Sequence, residues 1–171
     1  MLAFFGNYFK DTDVAADHLV NHFGPSAITI SGGESGTHSR LDMFRYGLER
    51  TVTDLENSGK EVVLMVDVPE LPFFPKDCIP RLFKSTPARG CVIPESVAME
   101  RQAELRGLID DIRGRHPRLR VFDPIEFLCE GDVCRIEADG VLIYRDSHHL
   151  SPRGSERIAR HLVTWLYGRS D

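Results

Sequence analysis

No apolar run in this chain of 171 residues approaches the length of a membrane span, and no tag, repeat or low-complexity tract is visible. Positive charge is in deficit. Against 26 Asp and Glu stand 21 Lys and Arg, a formal net charge of −5, which argues against a nucleic-acid partner. Cysteines are few: Cys78, Cys91, Cys129 and Cys134. None is spaced C-x-x-C, and no His stands at zinc-finger distance from them. The opening "MLAFFGNYFKD" is too short for a signal peptide and lacks its basic start. It reads as a buried strand that begins abruptly at Met1. What remains, 42% hydrophobic and 27% charged residues, is the balance of a soluble globular chain, and the length suits one domain over 1–171.

Periodicity predicts an alternating order of helices and strands. Residues 2–5 form a short apolar strand, "DVAADHLVNHFG" a short helix ending at Gly24, and "SAITISGGESGTHS" an extended piece followed by a polar loop. From Leu41 the residues Leu41, Phe44, Leu48, Val52 and Leu55 share one helical face, and Ser58-Gly59 stops that helix. "EVVLMVDVP" is apolar on both faces, as a central parallel strand should be. Residues 69–95 hold six of the ten prolines and read as an irregular excursion. A second long helix starts near Glu95. Its buried stripe is Val97, Leu105, Leu108 and Ile112, interrupted by Arg101, and His116-Pro117 ends it. "LRVFDP" is a strand, "IEFLC" a helical turn, and residues 134–144 a hairpin around Asp139-Gly140. Ser151 as N-cap and Pro152 at the first helical position open the last helix, whose core face is Ile158, Leu162, Trp165 and Leu166. This order is an α/β signature with a parallel sheet.

The chemistry concentrates in "LIYRDSHHLSPRG", residues 142–154, in a loop that enters the last helix. A catalytic histidine needs a carboxylate to fix its tautomer and stabilise the imidazolium, and Asp146, three residues before His149, is placed to supply one. A surface loop with an Asp turn and a solvated His reads equally from these residues. Adjacent side chains rarely point the same way, so only one of His148 and His149 is expected to be the base. Asp146, His148 and His149 also offer metal donors, although no other cluster has ligand spacing. A nucleophile is harder to find. "SGGESG", residues 31–36, is not Gly-x-Ser-x-Gly, because Thr37 stands where the last Gly should be. Ser31 and Ser35 are therefore weak candidates. Ser147 lies too near His149, and Ser151 is explained as a cap. Asn7 offers a side-chain N–H to an oxyanion, or simply ends a strand in a turn. "CEGDVC" suits either a small disulfide-closed hairpin or two free thiols, because the compartment decides.

Three pieces carry a resemblance: "FRYGLERTVTDLENSGKEVVLMVDVPE", "DCIPR", and "VFDPIEFLCEGDVCRIEADGVLIYRDSHHLSPRGSERIARHL". The last is the most specific, with a paired-cysteine turn, a Tyr-x-Asp and a His-Leu-Ser in order. Together they resemble the C-terminal part of an SGNH-hydrolase domain, of the kind fused behind the membrane acyltransferase-3 domain in bacterial O-acetyltransferases of surface polysaccharides. The likeness runs from about Leu41 onward, and more loosely over the first forty residues. It implies a three-layer α/β/α, flavodoxin-like fold with a parallel sheet, lacking its first strand and helix. Its Asp-x-x-His block falls on Asp146 and His149.

The family's nucleophile is a Ser in a Gly-Asp-Ser turn, and this sequence contains no Gly-Asp-Ser. Its Gly oxyanion donor has no counterpart either, and Gly6-Asn7 falls about where a Gly-x-Asn-Asp block would stand. The expectation is then that Met1 marks a truncation or a start assigned inside a longer gene, and that the piece made alone self-associates through an exposed sheet edge. The resemblance further implies acyl transfer from an acyl donor to a glycan acceptor, with no metal or organic cofactor. It places the chain in a periplasmic or extracytoplasmic setting, which favours a Cys129–Cys134 disulfide. Three rivals stand beside this reading: a non-catalytic remnant or carbohydrate-binding piece, a self-sufficient esterase using Ser31 or Ser35, and a cytosolic metal module on Asp146, His148 and His149.

Overall fold

The computed structural model describes residues 40–79 and 91–168. The elements expected before Arg40, and with them Asn7, Ser31 and Ser35, lie outside the described residues. The first described helix, α1 (Arg40–Asn57), turns Val52 into the interior, with Leu41, Phe44 and Leu48 half-buried beside it. Leu55, expected on the same face, is exposed. Gly59, at φ 75°, ends the helix. Its amide donates to the Glu56 carbonyl and that of Lys60 to Leu55, each at 3.0 Å, the paired closing bonds of a left-handed glycine cap.

Strand β1 (Val63–Met65) pairs in parallel with β3 (Arg120–Phe122), Leu64 opposite Val121. Side chains alternate across this pair. Leu64 and Val121 pack with α1 and with α2 (Glu95–Arg115), through Leu108 and Ile112. Val63, Met65 and Phe122 pack instead with Ile158, Leu162 and Trp165 of α4 (Pro152–Tyr167). The Phe122 ring lies edge-on to Trp165 at 5.5 Å between centroids, and the Arg120 guanidinium sits 4.2 Å over the same indole. Helices and a parallel strand pair thus make an α/β arrangement, as the alternating order predicts.

Three expectations change. The excursion over 69–95 contains a short turn of 3-10 helix (Pro75–Cys78) and a strand, β2 (Val92–Pro94). That strand joins β4 (Cys129–Glu130) and β5 (Val133–Arg135) in an antiparallel sheet of order β2–β5–β4. The expected single hairpin over 134–144 is divided. Its first strand belongs to the β4–β5 turn, and only β6 (Glu137–Ala138) and β7 (Val141–Leu142) close around Asp139-Gly140. Asp139 and Gly140 both take positive φ, which is why an Asp-Gly pair serves there. On α2 the buried stripe is Ala98, Gln102, Leu105, Leu108, Ile109 and Ile112, while Val97 is exposed. The helical turn α3 (Ile125–Leu128) lies where expected.

Cys129 and Cys134 face each other across β4 and β5 at disulfide distance, with Cα atoms 3.8 Å apart. Cys78 and Cys91 form a second such pair, with Cα atoms 5.7 Å apart, which ties the 3-10 turn to the start of β2.

Candidate active site

The loop Tyr144–Leu150 leaves β7 and returns to α4. It is closed by a bridge between Tyr144 and Leu150 and by the Arg145 amide donating to the His149 carbonyl at 2.9 Å. Two features hold α4 against it. Ser151 accepts from the Gly154 amide at 3.1 Å and donates its hydroxyl to the Leu142 carbonyl at 2.7 Å. Gly154 has no side chain to collide with Ile143: a Cβ there would overlap the Ile143 carbonyl oxygen and come within 2.8 Å of its Cγ2. Ser147 is buried, and its carbonyl accepts from the Leu71 amide at 2.7 Å, so the loop is tied to the segment that follows β1.

Within the loop both carboxylate oxygens of Asp146 lie 2.9 Å from Nδ1 of His149. Oδ1 also accepts the backbone amides of His149, at 2.8 Å, and of His148, at 3.1 Å. These amide bonds fold the Asp back onto the chain and aim its carboxylate at the imidazole. Burial acts to raise the Asp146 pKa. The His148 amide, the His149 side chain and the His149 amide oppose it and together hold the carboxyl down at about 2. The carboxylate is therefore ionised across the physiological range, as a partner for an imidazolium must be.

The adjacent histidines do not diverge as expected. Their rings lie 4.1 Å apart, tilted by 54°. They still differ in partners, because Nδ1 of His148 is 3.7 Å from Asp146 Oδ1 and 3.1 Å from the Ser147 hydroxyl. Only His149 has its ring nitrogen within hydrogen-bond distance of the carboxylate among the described contacts. Donor atoms of Asp146, His148 and His149 all fall within 4.8 Å of one another, so the same three side chains also form a geometric candidate for a metal.

Sequence reasoning passed over three neighbours of the site. Tyr144 is fully buried, its hydroxyl has no hydrogen-bond partner among the described residues, and burial together with the Asp67 charge pushes its pKa up. Glu70, buried just after β1, receives Arg101 at 2.8 Å. That pair explains the charged interruption on α2. Gly154 carried a signal that went unread, a glycine three residues past a cap, inside a helix where glycine is otherwise costly.

The family model of the SGNH domain, the type fused to AT3 domains, matches residues 3–164. The chain belongs to this family. Membership implies an esterase or acyltransferase type of hydrolase, and association with a membrane acyltransferase-3 domain. SGNH domains fused to AT3 domains are extracytoplasmic. Among the described residues of this SGNH domain no helix is long and apolar enough to cross a membrane. No curated protein and no solved structure matches the chain.

Proposed function

We propose that this SGNH domain transfers or hydrolyses acyl groups on cell-surface polysaccharide, with His149 as the base and Asp146 as its orienting acid. The observation that carries the reading is the Asp146 carboxylate, with both oxygens 2.9 Å from Nδ1 of His149, in a chain of the SGNH family. With the Nδ1 proton donated to the carboxylate, Nε2 holds the lone pair that takes a hydroxyl proton. A serine relieved of its proton attacks the donor's acyl carbon, and the leaving oxygen departs with the proton held on His149. A sugar hydroxyl then gives its proton to Nε2 as it attacks the acyl-serine. The serine oxygen takes that proton back, and the acyl group has moved with no net change in protonation. No metal or organic cofactor enters this scheme.

The serine of this scheme belongs to a Gly-Asp-Ser turn, which the 171 residues do not contain. Asn7 serves as oxyanion donor. The fold is a single three-layer SGNH domain, a reading supported by the opposite-facing contacts of Leu64 and Phe122 with α1, α2 and α4. The domain works in the periplasm beside its membrane partner.

Reaction with a fluorophosphonate, which labels activated serines, tests the nucleophile. A folded chain that stays unlabelled, but gains aryl acetate hydrolysis when fused behind a Gly-Asp-Ser segment and loses it in His149→Ala, supports the proposal. An adduct at Ser31 or Ser35 would replace it with the self-sufficient esterase. A fused protein that is folded but inactive would favour the remnant. A stoichiometric metal that is released in His149→Ala would favour the metal module.

A further inference from the structure

A groove of about 590 Å³ runs between the β6–β7 hairpin and α4, apart from the Asp146–His149 pair. Its floor is apolar, from Val141, Leu142 and Ile143, and one wall carries Arg153, Arg157, Arg160 and His161. Resting on the acyl-transfer reading above, we propose that this groove binds a carboxylate- or phosphate-bearing segment of the glycan acceptor.

The charge distribution argues for an anionic ligand. The whole chain is acidic, at −5, yet three arginines line this one concavity against Asp139 and Glu156. Glu156 lies 3.7 Å from Arg153 and pairs with Arg160, so it offsets part of the positive charge on this wall. Arg157 makes no ion pair among the described residues. Placement on the helix adds to this. The first turn of α4 holds Arg153 and no acidic residue. A cation there opposes the positive end of the helix dipole, and a bound anion would offset that opposition. Planar guanidinium groups suit carboxylate and phosphate by paired hydrogen bonds.

The remaining walls suit a sugar. The His161 ring is stacked on Phe127 at 4.3 Å between centroids, which holds a flat face at the groove. Leu142, Ile143 and Gly154 belong both to the groove and to the contacts that seat α4 on the loop bearing His149. A glycan held there lies on the element that follows His149 by three residues.

Binding of a galacturonate oligomer to the full chain, measured by calorimetry against a neutral dextran oligomer of similar length, tests the inference. The carboxylated glycan should bind and the neutral one should not. Affinity should fall as salt shortens the screening length from ~30 Å at 0.01 M to ~3 Å at 1 M. Arg153→Ala and Arg157→Ala should each weaken binding roughly tenfold, the factor for one charge-assisted hydrogen bond. Arg113→Ala, an exposed arginine on α2, should leave it unchanged. Equal binding of both oligomers, no binding, an equal loss in Arg113→Ala, or capture by phosphatidylglycerol vesicles in place of galacturonate would overturn the proposal. His149→Ala should bind normally. A failed groove with intact acyl chemistry, and a failed base with intact binding, are therefore distinct results.

Discussion

Burial and hydrogen bonding pull the Asp146 carboxyl in opposite directions, and hydrogen bonding wins. The sign follows from the depressed value. Its stabilisation is present above the unfolded value of 3.8 and is lost as pH falls through about 2. Partial exposure limits the effect to on the order of 1–2 kcal/mol. Asp146→Asn should therefore flatten the acid limb of a stability-against-pH curve between those values. It should also lower acyl turnover of the fused enzyme by roughly 10⁴-fold, the loss expected when a triad histidine keeps its place but not its charged partner. A full-rate Asn variant would remove Asp146 from the mechanism. Tyr144 poses the converse case, a buried hydroxyl with no partner among the described residues. Such a group costs about 1–3 kcal/mol, so Tyr144→Phe should leave the melting temperature unchanged or raise it. A marked fall would show that the hydroxyl is hydrogen-bonded.

Short elements decide how much of this was readable beforehand. α1, α2 and α4 announced themselves through apolar spacing, and the Ser151 cap through its residue type. Even so, Val97 and Leu55 sat at stripe positions and are exposed. Arg101 looked like an interruption and proved to have a partner in the Glu70 carboxylate, while Gln102, which the spacing did not single out, donates to the carbonyls after β1. β2, β4 and β5 have two or three residues each, too few for a period of two to show. The Asp146–His149 pair was legible because its partners are three residues apart. The Ser147–Leu71 bond was not, because it joins segments remote in sequence through backbone alone. Gly154 tests the seating of α4 directly. Gly154→Ala should raise helix propensity and yet destabilise the chain by about 2–3 kcal/mol or more, since the new methyl group meets the Ile143 backbone. Chemical denaturation of the two proteins checks this, and a stabilised variant would mean that α4 can shift away from the loop.

Across the described residues the parallel pair and the loop that bears His149 are joined through one polar network. β1 and β3 are followed by Asp67 and Asp123, at the carboxyl ends where open α/β sheets place their sites. Arg106 on α2 grips Asp123 through both carboxylate oxygens and also holds Gln102 at 2.8 Å. Gln102 in turn donates to the carbonyls of Asp67, at 3.0 Å, and Val68, at 3.1 Å. Three residues further on, the Leu71 amide reaches Ser147 in the loop that bears His149. The Arg106–Asp123 side chains are only 15% and 18% exposed, so removing one leaves the other charge poorly solvated. Arg106→Ala should cost roughly 2–4 kcal/mol. Arg45→Ala, which breaks an ion pair to Asp111 exposed at 34% and 54%, should cost under about 1 kcal/mol. If the network also sets the loop, Arg106→Ala should speed amide exchange at Leu71 under conditions where the chain stays folded, and Arg45→Ala should not. Equal effects of the two substitutions on stability and on that amide would mean that the strand ends and the His149 loop are held independently.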